Sequence, residues 1–363
     1  MPITGNKGEW SELYVLLELL ATGKLYAANA DLTRSTLYSN ILKIFRKENC
    51  VDKRFEIPLN EGRDVEIYVN NARVASISRN DLNNSKLILL NGIINSPSSR
   101  GAFSIAEADV IMNNLHCDRI SASSRDKKDI LVELYNPLTA LNQVCGFSIK
   151  SYLGKLPSLL NAGTNTNFCF EVSGIDDNIM NRVNTMVDSK GHTAVSQRMR
   201  YILSLHCRVN FIKVCDDVFA RNLRLLDTDL SNILAELLKA NFFDGCTTCI
   251  DAIQNIFTSD PMGYGEQSFY EYKLMRFMEA VALGLKPGTL WDGMEEANAG
   301  YIIVKDNGEV LAYYLYDRNT FRQYLLSNTK FEHGSASRHN FASIYKQNGH
   351  YYINLNLQIR YIQ

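Results

Sequence analysis

The sequence has no apolar run long enough to span a membrane, and its opening residues, MPITGNKGEW, carry no apolar signal core. Neither an anchor nor export is expected, and a cytoplasmic location is. Cysteine pairs at metal-ligand spacing are almost missing. Cys246-Thr-Thr-Cys249 is the only C-x-x-C, and no second ligand pair follows at zinc spacing. Cys145, Cys169 and Cys207 sit inside apolar runs, which suits reduced, buried thiols. A glycine-rich phosphate loop and a Ser/His/Asp arrangement are also lacking, which leaves a metabolic enzyme on an unrelated α/β fold unsupported. A basic surplus is missing too. The net charge of −1 argues mildly against a nucleic-acid binder, which is usually basic on its contact surface.

What is present is a chain of 363 residues, 46% apolar and 21% charged, the composition of a soluble globular protein and a length that favours two domains over one. Residues 1–175 read as mixed α/β, 176–299 as mainly helical, and 300–363 as rich in β-hairpins. The apolar spacing of Trp10, Leu13, Leu16, Leu17 and Leu20 predicts a helix from Asn6 to Lys24, with Ser11 as a possible cap and Gly23 as its stop. Glu9 and Glu12 would offset the dipole of that helix, or Glu12 would reach the rim of a site. Leu37, Ile41, Leu42 and Phe45 predict a second helix from Asp31 to Glu48. Short strands follow between Phe55 and Ile77, with a turn at Asn70-Asn71. A helix is expected from Ser104 to Leu115, a strand from His116 to Ser123 and a basic turn from Ser124 to Lys127.

The stretch from Lys128 to Lys155 reads as two apolar strands joined by a polar loop. Ile130, Val132 and Leu134 make the apolar face of the first, and Asp129 and Glu133 lie on the other face. On the second strand Ser148 and Lys150 point one way, and Phe147 and Ile149 point into a core. Pairing the strands sets a carboxylate beside a lysine on one sheet edge. That is a place for a hard divalent cation and a charged reacting group, though an ordinary solvated Asp–Lys pair gives the same spacing. Phe168 to Val172 predicts a third strand, which makes the fold a mixed, mainly antiparallel central sheet flanked by helices.

Charge is uneven along the chain. From Tyr313 onward Arg318, Arg322, Lys330, Arg338, Lys346 and Arg360 face only Asp317 and Glu332, with aromatic residues interleaved. A local phosphate-binding face is therefore compatible with the net charge. Hairpins are expected around Asp306-Asn307-Gly308 and Asn348-Gly349. The closing strand alternates Ile353, Leu355, Leu357 and Ile359 with Asn354, Asn356, Gln358 and Arg360. Its polar row is either a solvated face or a set of base-reading groups, since Arg pairs with guanine and Asn or Gln with adenine.

Several segments carry a resemblance that covers nearly the whole chain. GNKGEWSELYVLLELL, CDRISASSRDKKDILVEL, GFSIKSYLG with PSLLNAGTNTNF, and SRHNF with LNLQIR together resemble the HpaII-type family of type II restriction endonucleases. The resemblance implies a PD-(D/E)xK nuclease core in residues 1–175, a helical insertion in 176–299 and a DNA-recognition segment in 300–363. It implies Mg²⁺-dependent cleavage of double-stranded DNA at a short palindrome, CCGG for the namesake of the family, leaving 5′-phosphate ends. A homodimer is the usual partner of a palindrome, although sequentially acting monomers exist in the class, and a cognate DNA methyltransferase is the functional counterpart. Asp129 matches the first metal-binding acid of the class and Lys150 its lysine. Ser148 departs from the pattern, which has Asp or Glu there, and leaves Glu12 or Glu133 to supply the second acid. The Ile149 carbonyl is a further expected metal ligand. Ser337, Arg338, His339, Gln358 and Arg360 are expected to read bases, and Asn165 and Asn167 to touch the DNA backbone. Two other readings are a repair or nicking nuclease of the same class and a sequence-specific DNA-binding protein whose nuclease site has decayed.

Overall fold

The computed structural model describes residues 3–60, 62–96, 101–121, 128–136 and 141–362. The chain forms two compact units. One holds residues 1–157 and 295–324, the other 158–294 and 325–363. These boundaries differ from the expected segment ends at 175 and 299.

The first unit opens with α1 (Lys7–Thr22), β1 (Lys24–Ala28), β2 (Arg34–Glu48), β3 (Val51–Glu56), β4 (Val65–Val69), β5 (Ala72–Ile77), α2 (Arg79–Ile94), α3 (Ala108–Asn114), β6 (Ile130–Asn136) and β7 (Leu141–Ser151). The chain then enters the second unit with β8 (Ser158–Leu160), β9 (Asn167–Ser173), α4 (Asp177–Thr185), α5 (Val195–Ser204), β10 (Arg208–Val214), α6 (Asp217–Leu226), α7 (Leu230–Phe243), α8 (Cys249–Phe257) and α9 (Gln267–Leu283). It returns for β11 (Gly300–Val304) and β12 (Val310–Tyr314), and leaves again through α10 (Arg318–Ser327). The end of the chain is β13 (Thr329–Phe331), α11 (Ala336–His339), β14 (Ile344–Gln347), β15 (His350–Asn356) and β16 (Ile359–Tyr361). Among the described residues no helix is long and apolar enough to cross a membrane.

The first unit is built on a nine-stranded sheet in the order β1-β12-β11-β7-β6-β2-β3-β4-β5. An extra pairing of β1 with β2 closes six of these strands into a ring. The fold is thus mixed α/β, as expected, with a barrel-like closure that the sequence did not announce. Pairing is antiparallel except where β11 runs parallel to β7 and β12 parallel to β1. The core belongs to α1, whose Trp10, Leu13, Leu17 and Leu20 are fully buried with Ile41, Ile44, Phe147 and Ile302. Burying each such side chain stabilises the fold by about 1.5–3 kcal/mol. Asn6, rather than Ser11, caps α1. Its side chain accepts the Glu9 amide at 3.1 Å while the Glu9 carboxylate takes the Asn6 amide at 2.7 Å. Gly23 ends the helix with φ 65°.

The expected helix over Asp31–Glu48 is instead the fifteen-residue strand β2. A bulge between Ile41 and Lys43 shifts its register, so that Ile41 and Ile44 are both buried three residues apart. An extra residue in a strand imitates helical spacing in just this way. The helix expected from Ser104 shrinks to α3. The described part of the expected strand from His116 is irregular, with His116 itself at φ 54°. The expected basic turn at 124–127 lies outside the described residues. The hairpins at Asn70-Asn71, Asp306–Gly308 and Asn348-Gly349 form as expected.

In the second unit β9 does not extend the sheet of β6 and β7. It sits in a separate four-stranded sheet of order β10-β9-β15-β14, beside helices α4 to α9. β13, β16 and β8 form a further three-stranded sheet. All eight cysteines are free thiols. Cys249, within the C-x-x-C, is wholly buried and its thiol is pushed up to about 12 by burial.

Candidate active site

β6 and β7 pair antiparallel with Ile130 opposite Phe147, so Asp129 falls opposite Ser148 at the strand end. The Asp129 amide donates to the Phe147 carbonyl at 2.8 Å. One Asp129 carboxylate oxygen accepts the Ile149 amide at 2.6 Å and the Ser148 hydroxyl at 3.1 Å. Ser148 is 2% exposed, so this hydroxyl is a fixed part of the interior. Ile130, Val132, Phe147 and Ile149 turn into the core as their alternation predicts.

Lys150 lies two residues further along β7, and β11 runs beside it. Tyr301 is the partner of Ser148 and Ile303 the partner of Lys150. Paired residues of neighbouring strands project to the same face, so the Tyr301 ring stands next to Lys150, with 5.7 Å between its centroid and the ammonium nitrogen. The Lys150 ammonium is held above the ordinary lysine range. Tyr301 is the largest cause, burial pulls the other way, and Asp129 and Glu12 add to the rise. Lys150 therefore stays a cation at neutral pH.

The two candidates for the second acid occupy different places. Glu12, on α1, shares with Asp129 the wall of a cavity of about 520 Å³, which also includes Leu16, Phe45 and Lys128. Glu133 is bound to Lys43 at 2.8 Å and lies near Asn142, outside that wall. The structure thus gathers Asp129, Ser148, Lys150 and Glu12, and leaves Glu133 in a cross-strand ion pair. Among the described residues no three His, Cys, Asp or Glu side chains form a ready-made metal cluster. Tyr301 is the member that sequence reasoning missed. It sits far along the chain in an apolar run, with no local signal of its proximity to Lys150.

The expected DNA-reading residues lie in the second unit, and the structure sorts them. Ser337 and Arg338 are exposed on α11, and His339 is half-buried. Asn167 is buried and donates to the His339 carbonyl at 2.8 Å. Asn356 donates to the Gly163 carbonyl and the Asn167 side chain, each at 2.7 Å. The loop of Asn165 and Asn167 is thereby tied to α11. Gln358 is 6% exposed, and Arg360 pairs with Glu332 at 2.7 Å. The polar row of the closing strand is therefore largely interior, not a solvated face.

Two carboxylates near a half-buried lysine form the kind of site that handles phosphate groups with a hard cation. The chain belongs to the HpaII restriction endonuclease family, whose model matches residues 6–361. It is 35% identical over 362 residues to the type II restriction enzyme HpaII of Haemophilus parainfluenzae, which covers 99% of each chain. The protein is thus a homologue of type II restriction enzymes. No solved structure matches the chain.

Proposed function

We propose that this protein cleaves double-stranded DNA at a short palindromic site by Mg²⁺-dependent phosphodiester hydrolysis, with Asp129, Glu12 and Lys150 as the catalytic group. The observation that carries this reading is the convergence of Lys150 with Asp129 and Glu12, from two strands and a helix, in a homologue of a type II restriction enzyme. CCGG is the first target to test, because HpaII is the relative.

The donor set fits Mg²⁺, which is usually held by one or two carboxylates together with substrate phosphates rather than by an all-protein cage. Asp129 and Glu12 would hold it, with the Ile149 carbonyl as a further oxygen, and the lack of a third protein acid among the described residues agrees with this pattern. When bound, the ion supplies charge neutralisation at the phosphate and makes the attacking water more acidic. The chain's own residues do the rest. The Ile149 amide and Ser148 hydroxyl fix the rotamer of Asp129. Lys150, kept protonated, orients the water and balances negative charge as it builds on the phosphate. A charged Lys150 is an electrostatic partner and not the base. The core of the first unit stands in for a PD-(D/E)xK sheet in this reading, although its strands close into a ring. Ser337 and Arg338 are the best placed of the expected base readers, since both are exposed.

Digestion of unmethylated phage DNA with and without Mg²⁺, followed by end-sequencing, tests the proposal. Discrete Mg²⁺-dependent fragments with a common sequence at their ends are expected. Tight binding to one sequence without cleavage would replace it with a decayed-site DNA-binding protein.

A further inference from the structure

Lys150 is a long, flexible side chain that must be held in one place if it is to balance charge at a phosphate. β7 fixes its backbone and leaves the ammonium to its neighbours. Asp129 and Glu12 attract it from one side. Both would be engaged with other partners once a cation and DNA were present, so their hold on Lys150 is the one most open to change. Tyr301 is different. Its ring is 1% exposed and packs on Phe321 at 5.3 Å, Phe321 packs on Tyr313 at 5.8 Å, and Tyr313 stacks on Tyr324 at 4.3 Å. The Tyr324 hydroxyl in turn meets the Tyr152 hydroxyl at 2.7 Å. Tyr152 directly follows β7, two residues after Lys150, and its amide bonds the Val304 carbonyl of β11 at 2.8 Å, so the cluster lies against the end of β7 that carries Lys150. A phenol packed on Phe321 and backed by a chain of further aromatic rings is held in place by close packing.

We propose that Tyr301 is a positioning residue for the reaction, its phenol oxygen holding the Lys150 ammonium in register with the reacting phosphate. The contact supports this directly. The Tyr301 side chain is hydrogen-bonded to Lys150, and the ammonium lies well away from the ring centre, as a cation bound to the hydroxyl would. The inference rests on the nuclease reading for its consequence, but not for the contact itself. Tyr301 touches neither substrate nor metal in this scheme and acts only through Lys150.

Tyr301→Phe removes the oxygen and keeps the ring, so the buried cluster retains its shape. Three readouts on the full-length protein decide the matter. The single-turnover cleavage rate, on the duplex identified by digestion, is expected to fall about tenfold to a hundredfold, the worth of one hydrogen bond to a charged group. Affinity for the same duplex, measured with Ca²⁺ in place of Mg²⁺, and the melting temperature are expected to stay at the wild-type values. Reductive methylation of the metal-free protein, read by peptide mass spectrometry, is expected to reach Lys150 faster in the variant, with other lysines unchanged. A variant that cuts at the wild-type rate overturns the proposal, and so does one whose loss of cleavage is matched by loss of duplex affinity. If the wild-type protein cuts no DNA, the nuclease reading fails, and the methylation rate at Lys150 still decides whether Tyr301 holds it. An unchanged methylation rate would then overturn the proposal.

Discussion

Ser148 gives its hydroxyl to Asp129 at 3.1 Å, on the carboxylate oxygen that also takes the Ile149 amide at 2.6 Å. Ser148 is thus an orienter of the Asp129 carboxylate. Ser148→Ala removes one of two bonds to that oxygen and leaves the shorter one. Cleavage is expected to drop by about tenfold to a hundredfold, the value of a hydrogen bond to a charged group. Single-turnover rates decide it, and complete loss of cleavage would mean that Ser148 touches the reacting groups.

Asp129→Asn keeps an acceptor for the Ile149 amide and removes the charge. Cleavage should become undetectable. Binding of the duplex without divalent metal should hold or tighten, because a carboxylate no longer repels the phosphate. Gel-shift titration in EDTA reads this, and weakened binding would show that Asp129 contributes to affinity by another route. Lys150→Ala should also stop cleavage, but with weaker binding, since a cation is lost.

The two glutamates separate cleanly. Glu12→Gln is expected to lower cleavage by about a hundredfold, within the range of a positioned catalytic group. Glu133→Gln is expected to leave cleavage near the wild-type level and to change stability by about 1 kcal/mol or less, as a partly exposed pair with Lys43 should. Equal losses in both variants would contradict the placement of Glu133 outside the site.

Glu48 and Lys53 form an ion pair at 2.7 Å with side chains 2% and 4% exposed, and Asp118 joins the lysine. Removing one partner of a buried pair strands the other. Lys53→Met is expected to cost about 3–5 kcal/mol, measured by urea unfolding. Burial pulls the Lys53 pKa down, but hydrogen bonds to Asp118 and Glu48 outweigh it and leave the net shift upward. The group therefore binds its proton more tightly when folded. Its contribution is fully present below the unfolded lysine value of about 10.4 and fades as pH rises through the folded value. Melting curves from pH 8 to 11 should show a steeper alkaline loss in the wild-type protein than in the variant.

Gly300 has φ 137°, and a Cβ there would overlap the Tyr313 carbonyl oxygen. Gly300→Ala is expected to destabilise the β11–β12 ladder by about 1–3 kcal/mol. Thermal melting checks this, and an unchanged melting temperature would mean that the ladder yields at low cost.

The hairpin of Asp129, Ser148 and Lys150 was legible because its signals are local. Alternation sets which side chains turn inward, and Ile130, Val132, Phe147 and Ile149 obey it. The helix α1 was legible for the same reason, down to the Gly23 stop. β2 was not. Its bulge gave Ile41 and Ile44 a helical spacing, while Leu37, counted on the expected apolar face, is 65% exposed. The resemblance named Glu12 and Glu133 as equals. Only the fold separates them, because α1 places Glu12 on the cavity wall it shares with Asp129 while Glu133 pairs with Lys43. Tyr301 was invisible for a related reason. Parallel pairing of β7 with β11 joins strands separated by the whole first passage through the second unit, and no short window of sequence records it. The closing strand misled in the opposite direction. Its Asn356 and Gln358 alternate like a solvated face, yet both are buried.

The ring of the first unit closes only through β11 and β12, which begin at Gly300. On the ribosome, Asp129, Ser148 and Lys150 emerge long before that strand exists. A nascent chain, or a product of interrupted translation, carries Asp129, Ser148 and Lys150 without Tyr301 beside Lys150. Its strand β7 would keep an open edge, more apt to pair with another chain than to grip a phosphate. Closure of the ring thus confines the assembled group of Asp129, Lys150 and Tyr301 to chains already extended past Tyr314.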